Sequence, residues 1–182
     1  MTDETLLIEQ LKNVQTKEKA FRELIKLYKE RLYWHIRKIV ISHDDTDDVL
    51  QNTFIKIFKN IEKFNQDSKL FSWMYRIATN ESITFINKRA KLKSVDISDY
   101  QQELAGSLAS DDFFTGDEIQ LILQKAIATL PTKQQLVFNM KYFDELKYDQ
   151  ISEILDTSVG ALKASYFHAV KKIEHYIKNK TD

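Results

Sequence analysis

Three glycines (Gly106, Gly116, Gly160) and one proline (Pro131) are all that interrupt 182 residues, and that scarcity restricts the fold more than any other feature. A sheet protein needs a turn residue every few positions, so a chain this poor in breakers is expected to run in long helices. Without a glycine cluster, backbone amides have no loop in which to approach a phosphate, which argues against a phosphate-binding loop. Apolar periodicity agrees with helix. After Thr16 the residues Phe21, Leu24, Tyr28, Leu32, Ile36 and Ile39 recur at steps of three and four, predicting one amphipathic helix with Thr16 as its N-cap. Ser42 is followed by Asp44, Asp45, Asp47 and Asp48, carboxylates suited to the positive end of a helix. The stripe Leu50, Phe54, Ile57/Phe58, Ile61 continues that helix, and a polar break from Asn65 to Ser68 separates it from Leu70, Met74, Ile77/Ala78 and Phe85. These stretches define an N-terminal helical domain over residues 1–93.

Residues 94–116 hold Ser, Asp, Gln and Gly with weak periodicity and read as a flexible acidic linker. Fully extended, such a linker spans roughly 80 Å, a little over two duplex turns of ~34 Å. From Asp117 helices resume in a second domain, residues 117–182. Ile119, Leu121/Ile122, Lys125/Ala126 and Leu130 form one segment. Pro131 precedes a second, in which Thr132 and Gln135 fit a capping box. The last 35 residues read as helix (Tyr148 to Leu155), tight turn (Asp156, Thr157) and a helix capped by Ser158, the pattern of a helix-turn-helix whose second helix enters a major groove.

The hydrophobic content of 43% suffices for packed cores, and the absence of cysteine excludes disulfides, thiolate metal sites and a Cys nucleophile. No stretch approaches the roughly 18 apolar residues of a membrane span, and the acidic start (Asp3, Glu4) is unlike a signal peptide; the expected location is the cytoplasm. The net charge is zero, but residues 1–90 carry 16 Lys/Arg against 13 Asp/Glu, residues 91–118 carry 2 against 7, and residues 119–182 carry 9 against 7. Phosphate neutralisation supplies most non-specific DNA affinity, so a neutral chain is expected to rely on a larger partner when it binds DNA. No clustered His/Asp/Glu ligands and no nucleophile–base pair stand out, and the expectation is a protein without catalytic site, metal or cofactor.

Two blocks carry a family resemblance. The first is Asp45-Thr46-Asp47-Asp48-Val49-Leu50-Gln51-Asn52-Thr53-Phe54-Ile55-Lys56-Ile57-Phe58, then Phe64 and Phe71-Ser72-Trp73-Met74-Tyr75-Arg76-Ile77-Ala78-Thr79-Asn80. It resembles the second domain of the extracytoplasmic-function (ECF) sigma factors, which grips the RNA polymerase clamp and melts the promoter's minus-ten element. The second, from Leu130-Pro131 through Tyr148–Leu155 to Ser158-Val159-Gly160-Ala161-Leu162-Lys163, is similar to the family's fourth domain, which reads the minus-thirty-five element. The resemblance implies an all-α protein of two helical domains that carries core polymerase to promoter DNA. It also implies control by an inhibitory anti-sigma factor, in this family often tethered to the membrane.

The residues can be read beside that resemblance. Opposite the apolar stripe of the acidic helix lie Asp48, Gln51, Asn52 and Ile55, with Asp45 one turn earlier. An apolar residue ringed by acids and amides suits a protein interface, here core polymerase, although a solvated helix with one stray Ile has the same composition. Trp73, Arg76, Asn80 and Asn87 share a helical face that Lys88 and Arg89 extend. Stacking, phosphate neutralisation and edge hydrogen bonds are what unpaired bases need, yet Trp73 fits a core position equally well. The break Phe64, Asn65, Gln66, Asp67, Ser68, Lys69 stands where the family captures flipped bases. In the last helix Leu162, Tyr166, Ala169/Val170 and Ile173 are expected inside, leaving Lys163, Ala164, Phe167, His168 and Lys171 for the minus-thirty-five groove; Phe167 packed on its own domain is the alternative. Three departures bear on that groove. Ser165, His168 and Val170 stand where basic residues are common in the family, Asp156 replaces a frequent turn Gly, and Lys147 replaces a capping Ser. An autonomous helix-turn-helix regulator, or an adaptor that mimics a sigma factor, is the competing reading.

Overall fold

The computed structural model describes residues 3–110 and 118–181, and within them every regular element is a helix. In chain order these are α1 (Asp3–Lys12), α2 (Lys17–Val40), α3 (His43–Asn60), α4 (Leu70–Leu92), α5 (Ile97–Ser107), α6 (Glu118–Ala128), α7 (Thr132–Tyr142), α8 (Tyr148–Leu155) and α9 (Val159–Thr181). Short 3-10 turns at Ile61–Lys63 and Leu108–Ser110 follow α3 and α5. The three long stripes of the N-terminal half become α2, α3 and α4, which pack on one another around Leu24, Leu32, Ile36, Leu50, Ile57 and Met74.

Local chemistry explains most boundaries. Ser42 is extended and its hydroxyl accepts the Asp45 N–H, opening α3 with Asp44 and Asp45 in the first turn, where the helix dipole favours them. Asp156 ends α8 in the left-handed region (φ 49°, ψ 51°), a conformation that Asp tolerates better than most residues. The Ser158 hydroxyl accepts the Ala161 N–H and opens α9. Lys147 lacks a capping oxygen, and the start of α8 is tied instead by its N–H donating to Gln150 Oε1 at 2.9 Å.

Three expectations are corrected. Thr16 occupies the N-cap position of α2 but makes no cap bond; its hydroxyl donates to the Gln10 carbonyl and closes the turn out of α1. Thr132 is the first residue of α7 and not its cap, and Gln135 is buried, donating to the Leu130 carbonyl at 2.8 Å and to Gln101 Oε1 at 3.0 Å. The Gln101 contact belongs to the third correction. Residues 97–110 of the expected flexible linker are helical, and Tyr100, Gln101, Ala105 and Leu108 are buried. Ile97, Tyr100, Leu104 and Leu108 stand at helical spacing among polar residues, a stripe narrow enough to be taken for a linker until it meets a surface. That surface is shared. Tyr100 packs with Ile39 of α2, Ile86 and Ala90 of α4 and Leu136 of α7, and Lys93 bonds Glu103 at 2.8 Å to clip the end of α4 to α5. Residues 111–116 of the linker lie outside the described residues.

The two domains therefore share a core instead of standing apart. Val137, Met140, Leu146, Ile151, Ile154 and Leu162 belong to the same apolar cluster as α2–α4. A buried polar contact seals the junction. His35, 1% exposed, sits with Nδ1 3.1 Å from Asp144 Oδ2 and Nε2 2.8 Å from Thr79 Oγ1, and Lys38 bonds the other Asp144 oxygen. Burial alone would push the Asp144 carboxyl up. The His35 hydrogen bond and the charges of His35 and Lys38 outweigh it and hold the group below the ordinary carboxylate range.

Candidate functional site

The α3 face is open. Asp48, Gln51, Asn52 and Ile55 are all exposed, Ile55 by 44%, while Val49, Thr53 and Phe54 beneath them are buried. Asp45 behaves differently: it is half-buried and pairs with Arg89 Nη2 of α4 at 2.9 Å. A residue assigned to polymerase and one assigned to DNA thus neutralise each other across the α3–α4 seam. Beside that pair, Asp48, Gln51, Asn52, Phe85 and Lys88 line a cleft of about 400 Å³.

The second surface is the loop before α4 and the helix that follows. Asn65, Gln66, Asp67 and Lys69 are exposed, and Gln66 holds a left-handed φ of 63°, an uncommon state for a residue with a Cβ. Phe64 is 2% exposed with its ring centroid 5.1 Å from that of half-buried Trp73, so its ring lies beneath the loop and not on its surface. Trp73 thus lies neither wholly in the core nor fully on the surface. Asn80, Asn87, Lys88 and Arg89 are exposed along α4. Arg76 is exposed but engaged: its Nε donates to the Glu153 carbonyl of α8 at 3.1 Å, and Nη2 donates to the same oxygen. Asn80 lines a cleft of about 470 Å³ between α4 and α8, together with Thr79, Ile83, Lys133 and Asp156.

The third surface is α9. Leu162, Ala169 and Ile173 are buried, and Lys163, Ala164, Phe167 (57% exposed), His168 and Lys171 face outward beyond Ser158. Lys171 pairs Glu174 at 3.2 Å with its ammonium 5.9 Å from the Phe167 ring, and Lys163 reaches the Tyr148 ring of α8 at 5.8 Å. Sequence reasoning stopped at Lys171. Lys172, His175, Asn179 and Lys180 continue the surface around a cleft of about 460 Å³, and their steps of three and four from His168 were the signal available.

Other contacts were invisible before folding. Helix α1 was unpredicted, and Glu4, Lys12 and Lys17 reach from it and from the start of α2 to the loop around Phe64. Lys17 bonds Glu62 at 2.6 Å, and that hydrogen bond, with the charge behind it, holds the Glu62 carboxyl below its usual range. Glu103 acts in the opposite sense on Lys93, raising its ammonium above the ordinary value. Among the described residues no group of three or more His, Cys, Asp or Glu is arranged to hold a metal ion. No helix among them is long and apolar enough to cross a membrane.

Comparison with known proteins assigns the two halves separately and then together. Residues 24–92 match the family described as Sigma-70 region 2, and residues 120–173 match Sigma-70, region 4. The sigma factor SigW of Bacillus subtilis (strain 168), an ECF RNA polymerase sigma factor, is 30% identical over 169 residues, covering 88% of this chain and 90% of its own. The ECF RNA polymerase sigma-E factor of Escherichia coli (strain K12) is 27% identical over 185 residues, covering 97% and 95%. In fold, the chain is similar to CnrH solved in complex with the cytosolic domain of CnrY, at a TM-score of 0.70 and 19% identity over 97% of both chains. It is also similar to RpoE of Bartonella quintana solved with the anti-sigma factor NepR, at 0.66 and 18% identity over 88% of this chain and 98% of that one. With an exposed acidic helix face, a polar loop leading into a Trp- and Arg-bearing helix and a helix-turn-helix in that order, this chain belongs to the ECF sigma factors of bacterial RNA polymerase and is not an enzyme.

Proposed function

We propose that the three surfaces divide the work of a sigma factor: α3 docks on core polymerase through Asp48, Gln51, Asn52 and Ile55, the loop 64–69 with α4 opens and holds the minus-ten element, and α9 reads the minus-thirty-five element. The observation that carries this reading is the α3 face. An exposed Ile among acids and amides, on a helix whose other side is buried, repels DNA phosphates and suits a protein partner. That separates the reading from an autonomous DNA-binding regulator, which has no use for such a face. Together with zero net charge, it makes promoter affinity dependent on the polymerase. In the closed arrangement Arg76 spends two donors on the Glu153 carbonyl, so promoter opening requires α8 to leave α4. CnrH is solved with the cytosolic domain of CnrY and RpoE with the anti-sigma factor NepR, and we extend control by an anti-sigma factor to this chain, acting in the cytoplasm.

The test compares the free chain with the reconstituted holoenzyme on promoter duplex. The free chain is expected to give weak, salt-erased binding and the holoenzyme tight binding. Nanomolar, sequence-specific binding by the chain alone would favour the autonomous regulator. Replacing both Asp48 and Ile55 with Lys is expected to abolish co-purification with core polymerase while helical content and melting stay near wild type, because both side chains are exposed. Undiminished co-purification would remove α3 from the interface.

A further inference from the structure

The loop 64–69 is fastened at both ends by residues more than forty positions earlier in the chain. At its start, Lys12 Nζ donates to the Phe64 carbonyl and Lys17 bonds Glu62. At its end, Glu4 Oε1 accepts the Leu70 N–H at 3.3 Å. That N–H belongs to the first turn of α4, whose own N-cap residue, Lys69, makes no side-chain cap bond. Helix α1 is itself anchored, with Ile8 and Leu11 buried in the main core at 4% and 0% exposure. Between the two fastenings Asn65, Gln66, Asp67 and Lys69 remain exposed. The left-handed Gln66 at the tip is a state that surrounding structure must hold in place.

We propose that Glu4 and Lys12 are positioning residues that set the opening of the 64–69 loop and thereby its base preference at the minus-ten element. The proposal rests on the reading of that loop as the minus-ten pocket. Neither residue touches DNA. Lys12 fixes the height of the Phe64 carbonyl, and with it the ring that lies against Trp73. Glu4 holds the first amide of α4, one turn before Trp73. A pocket for an extruded base discriminates only if its walls are fixed before the base arrives, since ordering a loop on binding subtracts from the affinity gained. Two polar ties from a helix anchored in the core fix those walls without adding bulk to the pocket.

The experiment assembles core polymerase with the full chain and runs a randomised minus-ten selection on wild type, Lys12→Met, Lys12→Arg, Glu4→Ala and Glu4→Gln. Lys12→Met and Glu4→Ala are expected to relax preference at one or two minus-ten positions by roughly fivefold or more, the scale on which a single base pair is discriminated. Core affinity and the minus-thirty-five motif should stay unchanged. Lys12→Arg, which keeps a donor, and Glu4→Gln, which keeps an acceptor, should restore the motif. An unchanged motif in Lys12→Met and Glu4→Ala overturns the proposal. So does a uniform loss on every template accompanied by a lower melting temperature, because that is the signature of a merely structural helix. Asn65→Ala and Gln66→Ala run beside them. If those alter the minus-ten motif while the α1 variants do not, only the positioning role falls; if they leave it unchanged, the loop reading falls and takes the proposal with it.

Discussion

Helices α4 and α9 are each 23 residues long, and each presents an aromatic ring with cations and polar groups, yet their situations are opposite. Arg76 of α4 is bound to the backbone of α8, Arg89 is paired with Asp45, and Trp73 is half-buried on Phe64. On α9, Phe167 is 57% exposed and the cation at Lys171 is engaged only within its own helix. The outward groups of α4 are tied to other helices by hydrogen bonds and an ion pair, whereas the tie from α9 to α8 is looser, Lys163 lying 5.8 Å from the Tyr148 ring. The contrast has a physical consequence: a ligand for α4 must displace contacts already made, whereas a ligand for α9 displaces mainly water. Minus-ten engagement should therefore be the step sensitive to how the domains are held, and minus-thirty-five engagement the step sensitive to side-chain chemistry alone.

The largest effect that could break this contrast lies at the junction. Asp144→Ala leaves His35 and Lys38 without their shared carboxylate, and loss of one member of a buried ionic cluster costs ~3 kcal/mol or more. Chemical denaturation should show that loss, and hydrogen exchange should rise in α4 and α8 with little change in α9. Protection of α4 at wild-type level in this variant would mean that the junction does not hold α8 in place. The same carboxylate fixes a pH dependence. Its value in the folded chain is lowered, so its contribution is present above the ordinary carboxylate range of about 4 and is lost as pH falls through the lower folded value. Acid should loosen the junction in wild type, and Asp144→Asn should flatten that part of the stability–pH curve.

Next comes a pair of ring truncations. Trp73→Ala is expected to cost ~2 kcal/mol of stability through its contact with Phe64, together with a defect in opening duplex promoter. Phe167→Ala should leave the melting temperature unchanged and cost about 1 kcal/mol or more of discrimination, confined to one or two minus-thirty-five positions. A drop of several degrees in the Phe167 variant, or none in the Trp73 variant, would invert the comparison. The smallest effect is Lys171→Ala. As a phosphate contact it should weaken all promoter sequences alike and reduce the salt slope by about one, measured as holoenzyme affinity at several salt concentrations.

Much of this was legible before folding because it follows from spacing. Stripes at steps of three and four placed α2, α3, α4 and α9, and put Ile55 and Phe167 on outward faces. The carboxylates that follow Ser42 and the capping oxygen of Ser158 announced two helix starts. What spacing conveyed poorly was a helix with few apolar residues. The stripe of α5 is thin, and only the junction of α2, α4 and α7 gives Tyr100 something to bury against. Phe64 shows a second limit: beside Asn65 and Gln66 it looked like part of a base-contacting loop, and its burial under that loop depends on Trp73, nine residues later.

Sequence alone determined the helical class, the order of the helical units and the outward faces of α3 and α9, because each of these is set by the residue types within a few helical turns. Only the tertiary structure decided that the two domains close on one another, that His35 and Asp144, 109 positions apart, meet across the seam, and that α1 reaches the 64–69 loop. Those contacts join residues of no local pattern. A lone buried His, an Asp between helices and a Lys on a short N-terminal helix acquire meaning only when the chain brings an opposite charge or an unpaired backbone group within about 3 Å.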